Sequence, residues 1–413
     1  MGSLCMASML SLAFISGALM DRYDARILLV IASVLMSLGL LLGSFAESLP
    51  ALFACVALAG ASSSVHIQAA AVIQPWFDRK KGLATGIAMA GSGLGNFVLA
   101  LVLGAFFTTT SPDRWREALR WEALWLLVFS IPASLLLKKR PVVACLEDVA
   151  AEKDVNLPSL ELAGGSTTGS STLSSPSLPS PSPPPSPSPP PLVTLTSLVC
   201  QRRMIFMSLS KGVGAFAYGV PFVHLVPLMS DNSIGESQQA LALALVGLAS
   251  LLGRVVLGVL SDRMGHVRLF QFGMLQLALS MFVMPHCGST VSFSLISFYY
   301  GFWAGGHISL PPSIISLWYH DQPSRVGKLV GVNFCADTIG AFLGPVIVGA
   351  LYDVQGNYNV AFSVMGCFFL TATGFACLMP KAMSSAERLK EEHGDRDGDD
   401  VDDVASTKQV EML

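Results

Sequence analysis

The 413 residues are 52% hydrophobic and 13% charged, with a mean hydropathy of +0.59. Soluble globular chains carry about 25% charged residues, so this composition excludes an ordinary water-soluble domain and indicates a membrane protein. The net charge of −3 comes from the last 33 residues, with ten acidic side chains against five basic; the remainder is slightly basic and has no stripe suited to nucleic acid.

A helix needs about 20 apolar residues to cross the hydrocarbon core. Eleven stretches meet or approach that length: 3–20, 27–45, 50–73, 83–107, 121–137, 205–228, 239–260, 269–285, 291–318, 329–351 and 360–379. They predict an all-α membrane protein in contact with the lipid bilayer. The first stretch lacks the basic start of a secretory leader and ends in the charged turn Asp21-Arg22-Tyr23-Asp24-Ala25-Arg26.

Between 141 and 204 the apolar pattern stops, and residues 176–191 alone hold ten prolines. Such a stretch cannot bury enough apolar surface to fold, so an extended cytoplasmic linker is expected. Its PxxP repeats make an SH3 or WW domain a candidate partner, against the simpler reading of a passive spacer. The acidic tail from Lys381 is expected to be disordered. The organisation is then an N-terminal transmembrane half over 1–140, the linker over 141–204, a C-terminal half over 205–380 and a tail over 381–413. The eight cysteines lie singly without CxxC or Cys/His pairing, which indicates neither disulfides, nor a metal, nor a metal-based cofactor.

Lys and Arg cluster in alternate connections: Arg22/Arg26, Arg79/Lys80/Lys81, Lys138/Lys139/Arg140, Arg202/Arg203, Arg263/Arg268 and Arg325/Lys328. The loops between hold none, apart from 108–120 with Arg114, Arg116 and Arg120. By the positive-inside rule the first set, the linker and the tail face the cytoplasm.

One motif occurs twice. Gly17-Ala-Leu-Met-Asp21-Arg22 closes the first stretch, and Gly258-Val-Leu-Ser-Asp262-Arg263 closes the seventh, 262 − 21 = 241 residues later. Trp76-Phe77 and Gly86 recur as Trp318-Tyr319 and Gly331. Two landmarks in the same order predict two similar halves that rock about a central site. Each motif turn should bring its carboxylate to a neighbouring helix N-terminus, where the dipole favours it. Arg22, Arg26, Arg263 and Arg268 are expected to pair across the bundle, so that these charges gate the rocking. The repeat also leaves five stretches in the first half against six in the second, so the expected architecture is two six-helix halves with the first helix absent.

The residues that carry a family resemblance are Trp76-Phe-Asp-Arg-Lys-Lys-Gly82 through Gly91-Ser-Gly-Leu-Gly95, Pro221-Phe-Val-His-Leu-Val-Pro227 with Gly253-Arg254, and Gly344-Pro345 through Asp353 with Gly356. They resemble the monocarboxylate transporter family of the major facilitator superfamily, over nearly the whole chain outside linker and tail. The resemblance implies a secondary active transporter and no enzyme, in the plasma membrane, moving small organic anions with protons by alternating access. In lactate carriers of that family an Asp precedes the membrane Arg by four residues; here Ser250 stands there. The bacterial oxalate/formate exchangers share much of the pattern, so anion exchange remains an alternative. A non-transporting relative, such as a binding subunit or membrane chaperone, is another, and an accessory membrane chaperone is also a candidate partner.

Arg254 lies deep in an apolar stretch, where its cost requires a cavity or a partner, and guanidinium suits a carboxylate. With the resemblance it becomes the substrate-binding residue. Asp337 falls at comparable depth and is expected to pair with Arg254 in the empty carrier and to carry the coupled proton. His66, Gln68, His224 and His307 are further substrate-contact candidates, weighed against hydrogen-bonded packing between helices. Lys211 is expected to snorkel to the cytoplasmic interface.

Overall fold

A computed structural model describes residues 2–77, 80–107, 114–137 and 194–381. Arg79, Lys138, Lys139, Arg140, the proline-rich stretch and the tail beyond Lys381 lie outside the described residues. Among the described residues there are helices and connecting turns, without strands.

The N-terminal half comprises α1 (Gly2–Ser11), α2 (Ala13–Arg22), α3 (Ala25–Ser44), α4 (Leu49–Ile73), α5 (Lys81–Phe107) and α6 (Arg114–Leu136). After the linker come α7 (Leu195–Val199), α8 (Arg202–Tyr218), α9 (Val220–Asp231), α10 (Glu236–Met264), α11 (His266–Val283), α12 (Thr290–Trp318), α13 (Val326–Cys335), α14 (Thr338–Gln355) and α15 (Asn359–Cys377). Helix thus starts at Leu195, inside the stretch assigned to the linker. Thr194 caps α7 through its side chain, and Leu198 is buried with its carbonyl accepting from Tyr319 Oη at 2.9 Å.

Among the described helices, nine spans are long and apolar enough to cross a membrane, ten if the α1–α2 pair, bent by 42°, is one span. The remaining stretch of the sequence reading, α12, is 29 residues long but rich in Ser and Gly, with two prolines and one His. Nineteen of its residues are buried, so α12 faces protein more than lipid and does not need an apolar surface. By contrast α6 turns Trp121, Trp125 and Phe129 outward, as a helix facing hydrocarbon does. The arginines that depart from the charge rule act locally. Arg116 Nη1 donates to Ser44 O at 2.9 Å, and Arg120 Nε to Ser44 Oγ at 3.2 Å. They satisfy the C-terminal end of α3, where cations are favoured.

Three stretches that read as continuous in the sequence are interrupted. The first bends at Leu12; the α8–α9 stretch breaks at Gly219, just before Pro221; the α13–α14 stretch breaks at Ala336–Asp337. In the N-terminal half α3 packs on α4 and α6, and α4 on α1 and α2. In the C-terminal half α10 packs on α12, and α15 on α8 and α11. The halves meet along α5 against α10 and α12, α2 against α13, and α1 against α14.

Candidate functional site at the seam between the halves

The two main seams repeat each other. Gly258 meets the Gly82 backbone and Gly86 meets the Arg254 backbone where α10 crosses α5. Gly17 meets Gly327 and Gly331 meets Ala13 where α2 crosses α13. A Cβ at any of these glycines would run into backbone, so only glycine permits so close a crossing. The offset is the repeat's own: Gly258 − Gly17 and Arg254 − Ala13 are both 241 residues.

The motif carboxylates seal each crossing at the same end of the bundle. Asp262 accepts from Gly82 N at 2.9 Å and Leu83 N at 3.0 Å, at the N-terminus of α5. Asp21 accepts from Lys328 N at 3.0 Å, at the N-terminus of α13. Each acid of one half therefore satisfies free N–H groups and the helix dipole of the other. The arginines do not cross. Arg26 Nε donates to Leu137 O at 2.6 Å inside its own half, and Arg22 lies over the neighbouring Tyr23 ring. Arg263 and Arg268 are exposed, without a partner among the described residues. Backbone N–H groups hold a carboxylate at fixed geometry, whereas exposed arginines keep their hydration. The repeats also differ locally: Gly265, at φ +94°, ends α10, whereas Asp24 at the equivalent place caps α3 through Arg26 N at 2.9 Å. His266 Nε2 lies 3.3 Å from Asp262 Oδ1 without aligning for a hydrogen bond, and the other half has Ala25 there.

Arg254 is buried on α10, and its Nη1 donates across the seam to Met89 O and Ser92 Oγ of α5. Its Nε has no acceptor. The expected Arg254–Asp337 pair is not formed. Asp337 Oδ2 lies 2.8 Å from Lys211 Nζ, and both residues are buried. Lys211 does not snorkel: it is 0% exposed, and its ammonium also donates to His307 Nε2 at 3.1 Å and lies over the Phe334 ring.

Helix contacts explain why Lys211 wins. A Cβ on Gly212 would stand 2.8 Å from Ala336 O, and one on Gly340 would stand 2.6 Å from Phe216 N, so α8 and the α13–α14 break touch through glycine. That contact delivers Asp337 to Lys211. Asp337 occupies the N-cap position of α14 yet caps no N–H; its carboxylate serves the ammonium instead. Tyr218 stacks on His307 with ring centroids 5.0 Å apart and lies in electrostatic range of both Arg254 and Asp337.

The other candidates are dispersed. His66 Nε2 is 3.2 Å from Ser33 Oγ and 3.3 Å from Ser130 Oγ, in a polar knot joining α3, α4 and α6. Gln68 is buried, and its Nε2 donates to Ala13 O at 2.9 Å. His224 Nε2 donates to Pro345 O at 2.9 Å and so presents Nδ1 as acceptor to Tyr358 Oη at 3.4 Å. Burial, aided by Asp231, Tyr352 and Asp353, pushes the Tyr358 phenol up to about 12, which keeps that donor proton in place. The structure brings none of these three against Arg254; His307 reaches its vicinity through Tyr218. Among the described residues no group of His, Cys, Asp and Glu could hold a metal ion.

The central place of Lys211 is not visible from hydropathy. Counted from residue 205 it reads as close to the interface, whereas α8 begins at Arg202, which puts Lys211 211 − 202 = 9 residues inside. The flanking Gly212 and Gly214 are the available signal that this face of α8 is packed.

Known proteins agree with this architecture. The sequence profile of the Major Facilitator Superfamily matches residues 1–229 and 207–398. Monocarboxylate transporter 13 of Rattus norvegicus is 26% identical over 381 residues, covering 90% of this chain and 77% of the relative. Monocarboxylate transporter 12-B of Danio rerio is 26% identical over 367 residues, covering 86% and 72%. A solved structure, the human organic anion transporter MFSD10 (TETRAN), superposes with a TM-score of 0.64 at 15% identity, covering 91% of this chain and 82% of that one. These relatives lie in the family that the sequence resemblance named. With its apolar helices paired in two half-bundles about a glycine-lined seam, the chain is a multi-pass membrane transporter and belongs to the Major Facilitator Superfamily.

Proposed function

We propose that the protein carries small organic anions of the monocarboxylate type together with protons, by rocking its two halves about Arg254. One observation carries this reading: a buried guanidinium that bridges the halves through neutral acceptors alone, Met89 O and Ser92 Oγ. A carboxylate is a stronger acceptor than either and binds guanidinium through two parallel bonds. When an anion replaces Met89 and Ser92, one tie between α10 and α5 is exchanged for substrate, so occupancy changes the balance between rocking states. Asp337 is the proton carrier of this scheme. The end of the bundle holding Asp21 and Asp262 faces the cytoplasm of the plasma membrane, with the linker and tail on the same side.

The test is uptake of radiolabelled lactate and pyruvate into vesicles with and without an inward proton gradient. Truncating one partner of a buried charged pair costs about 2–5 kcal/mol, so Arg254→Ala should reduce uptake roughly 30-fold or more at unchanged membrane expression. Wild-type uptake by the expressed variant would sink the assignment. A second reading, anion exchange without a proton, is favoured by the buried Ser250, where the related lactate carriers hold an acid. Stimulation by internal anion without any response to the gradient would select it.

A further inference from the structure

Lys211 has two partners of different kinds. Asp337 can be ionised or protonated, whereas His307 is held as a neutral acceptor. His307 Nδ1 faces Met274 Sδ at 3.2 Å and leaves the Nε2 lone pair to the ammonium 3.1 Å away. Tyr218 and Phe270 stack on the ring and Phe369 meets it edge-on, with centroids at 5.0, 6.0 and 6.3 Å.

The difficulty that this solves is electrostatic. If Asp337 takes a proton, the ammonium, 0% exposed, loses its counter-charge in a low-dielectric interior. An ammonium with no acceptor there is far more costly than one with a neutral acceptor. Building on the reading of Asp337 as proton carrier, we infer that Lys211 exchanges a shared hold for a single one: Asp337 and His307 hold it together, as here, when that carboxylate is ionised, and His307 alone holds it when the carboxylate is protonated. His307 is thus a positioning residue for proton coupling rather than a substrate ligand. The other titratable or charged groups in electrostatic range of the cluster are Tyr218 of α8, Arg254 of α10 and Tyr300 of α12, which reach it through Tyr218, and Cys335 of α13, whose thiol bonds Ser11 O. Helices α11 and α15 face it with Met274, Phe270 and Phe369, none of which titrates. Asp337 Oδ1 has no hydrogen-bond partner, so one oxygen stays available for the proton while the other holds Lys211.

The experiment compares His307→Phe, which keeps the aromatic packing and removes the acceptor, with His307→Gln, which keeps an acceptor. The first readout is the thermal midpoint of the purified full chain against pH, measured without any anion; the second is gradient-driven uptake of labelled lactate and pyruvate. Without the acceptor the protonated state of Asp337 is disfavoured, so the His307→Phe profile should move to lower pH by about one unit. The His307→Gln profile should stay close to wild type. The double variant Lys211→Gln with Asp337→Asn removes both charges together and should fold without that pH dependence. A His307→Phe profile identical to wild type, or a double variant that keeps the wild-type pH dependence, would overturn the exchange. A shifted thermal profile in a protein that takes up neither probe would leave the exchange standing and remove the anion reading.

Discussion

Arg254, Lys211 and Asp337 show how much a buried charge depends on its immediate partners. The fragment Gly253-Arg254 was legible as a site because an Arg in an apolar run must be compensated. The identity of the compensator was not legible, since helical depth gives height along the membrane and says nothing about which face of a neighbour arrives. Whatever height the chain assigns to Asp337 and Arg254, the glycine contact of α8 with the α13–α14 break brings the acid to Lys211. The consequence is testable at one position. Lys211→Met leaves Asp337 as an uncompensated acid, and breaking such a buried pair costs about 3–5 kcal/mol. The variant should lose most of its folded yield in detergent, and adding Asp337→Asn should recover it, as read by fluorescence-detected size exclusion.

At the scale of helices, the interruptions matter most. Apolar length alone reads 329–351 as one span, and a break at Ala336–Asp337 leaves no mark in hydropathy. The crossings are partly visible in the sequence: the glycines at 82, 86, 91, 93 and 95 and at 340, 344 and 349 have the small-residue spacing of close helix packing, but nothing in that spacing says which helix each meets. In the structure Gly86 and Gly331 occupy matching places, one against Arg254 and the other against Ala13. Gly86→Val and Gly331→Val should each cost about 1–3 kcal/mol through overpacking. Gly86→Val should in addition weaken anion binding, because it displaces the backbone that carries Arg254, whereas Gly331→Val should leave affinity nearly unchanged. Thermal midpoints and uptake KM, measured side by side, decide this.

At the scale of the whole molecule, two carboxylates tie opposite halves together at one end. Asp21 holds α13 and Asp262 holds α5, each through backbone N–H groups at a helix N-terminus. Such a contact contributes about 1–2 kcal/mol. Asp21→Asn or Asp262→Asn should therefore slow turnover roughly five- to 30-fold while changing KM less than twofold, and the double variant should be slower than either. A pair of variants defective only in expression would show that these acids set topology and do not gate movement.

The sequence by itself determined the membrane class, the two repeated halves, the family resemblance and the presence of a costly buried arginine. Each of these rests on composition or on spacing along one chain, which apolar length, charge and a recurring motif record directly. Only the tertiary structure decided that the motif arginines stay out of the seam, that His66 and Gln68 bond to groups of their own half, and that Lys211 lies between Asp337 and His307. Those outcomes depend on which helix faces approach, and close approach is set by glycines on two helices at once. A single chain shows both sets of glycines without showing that they meet.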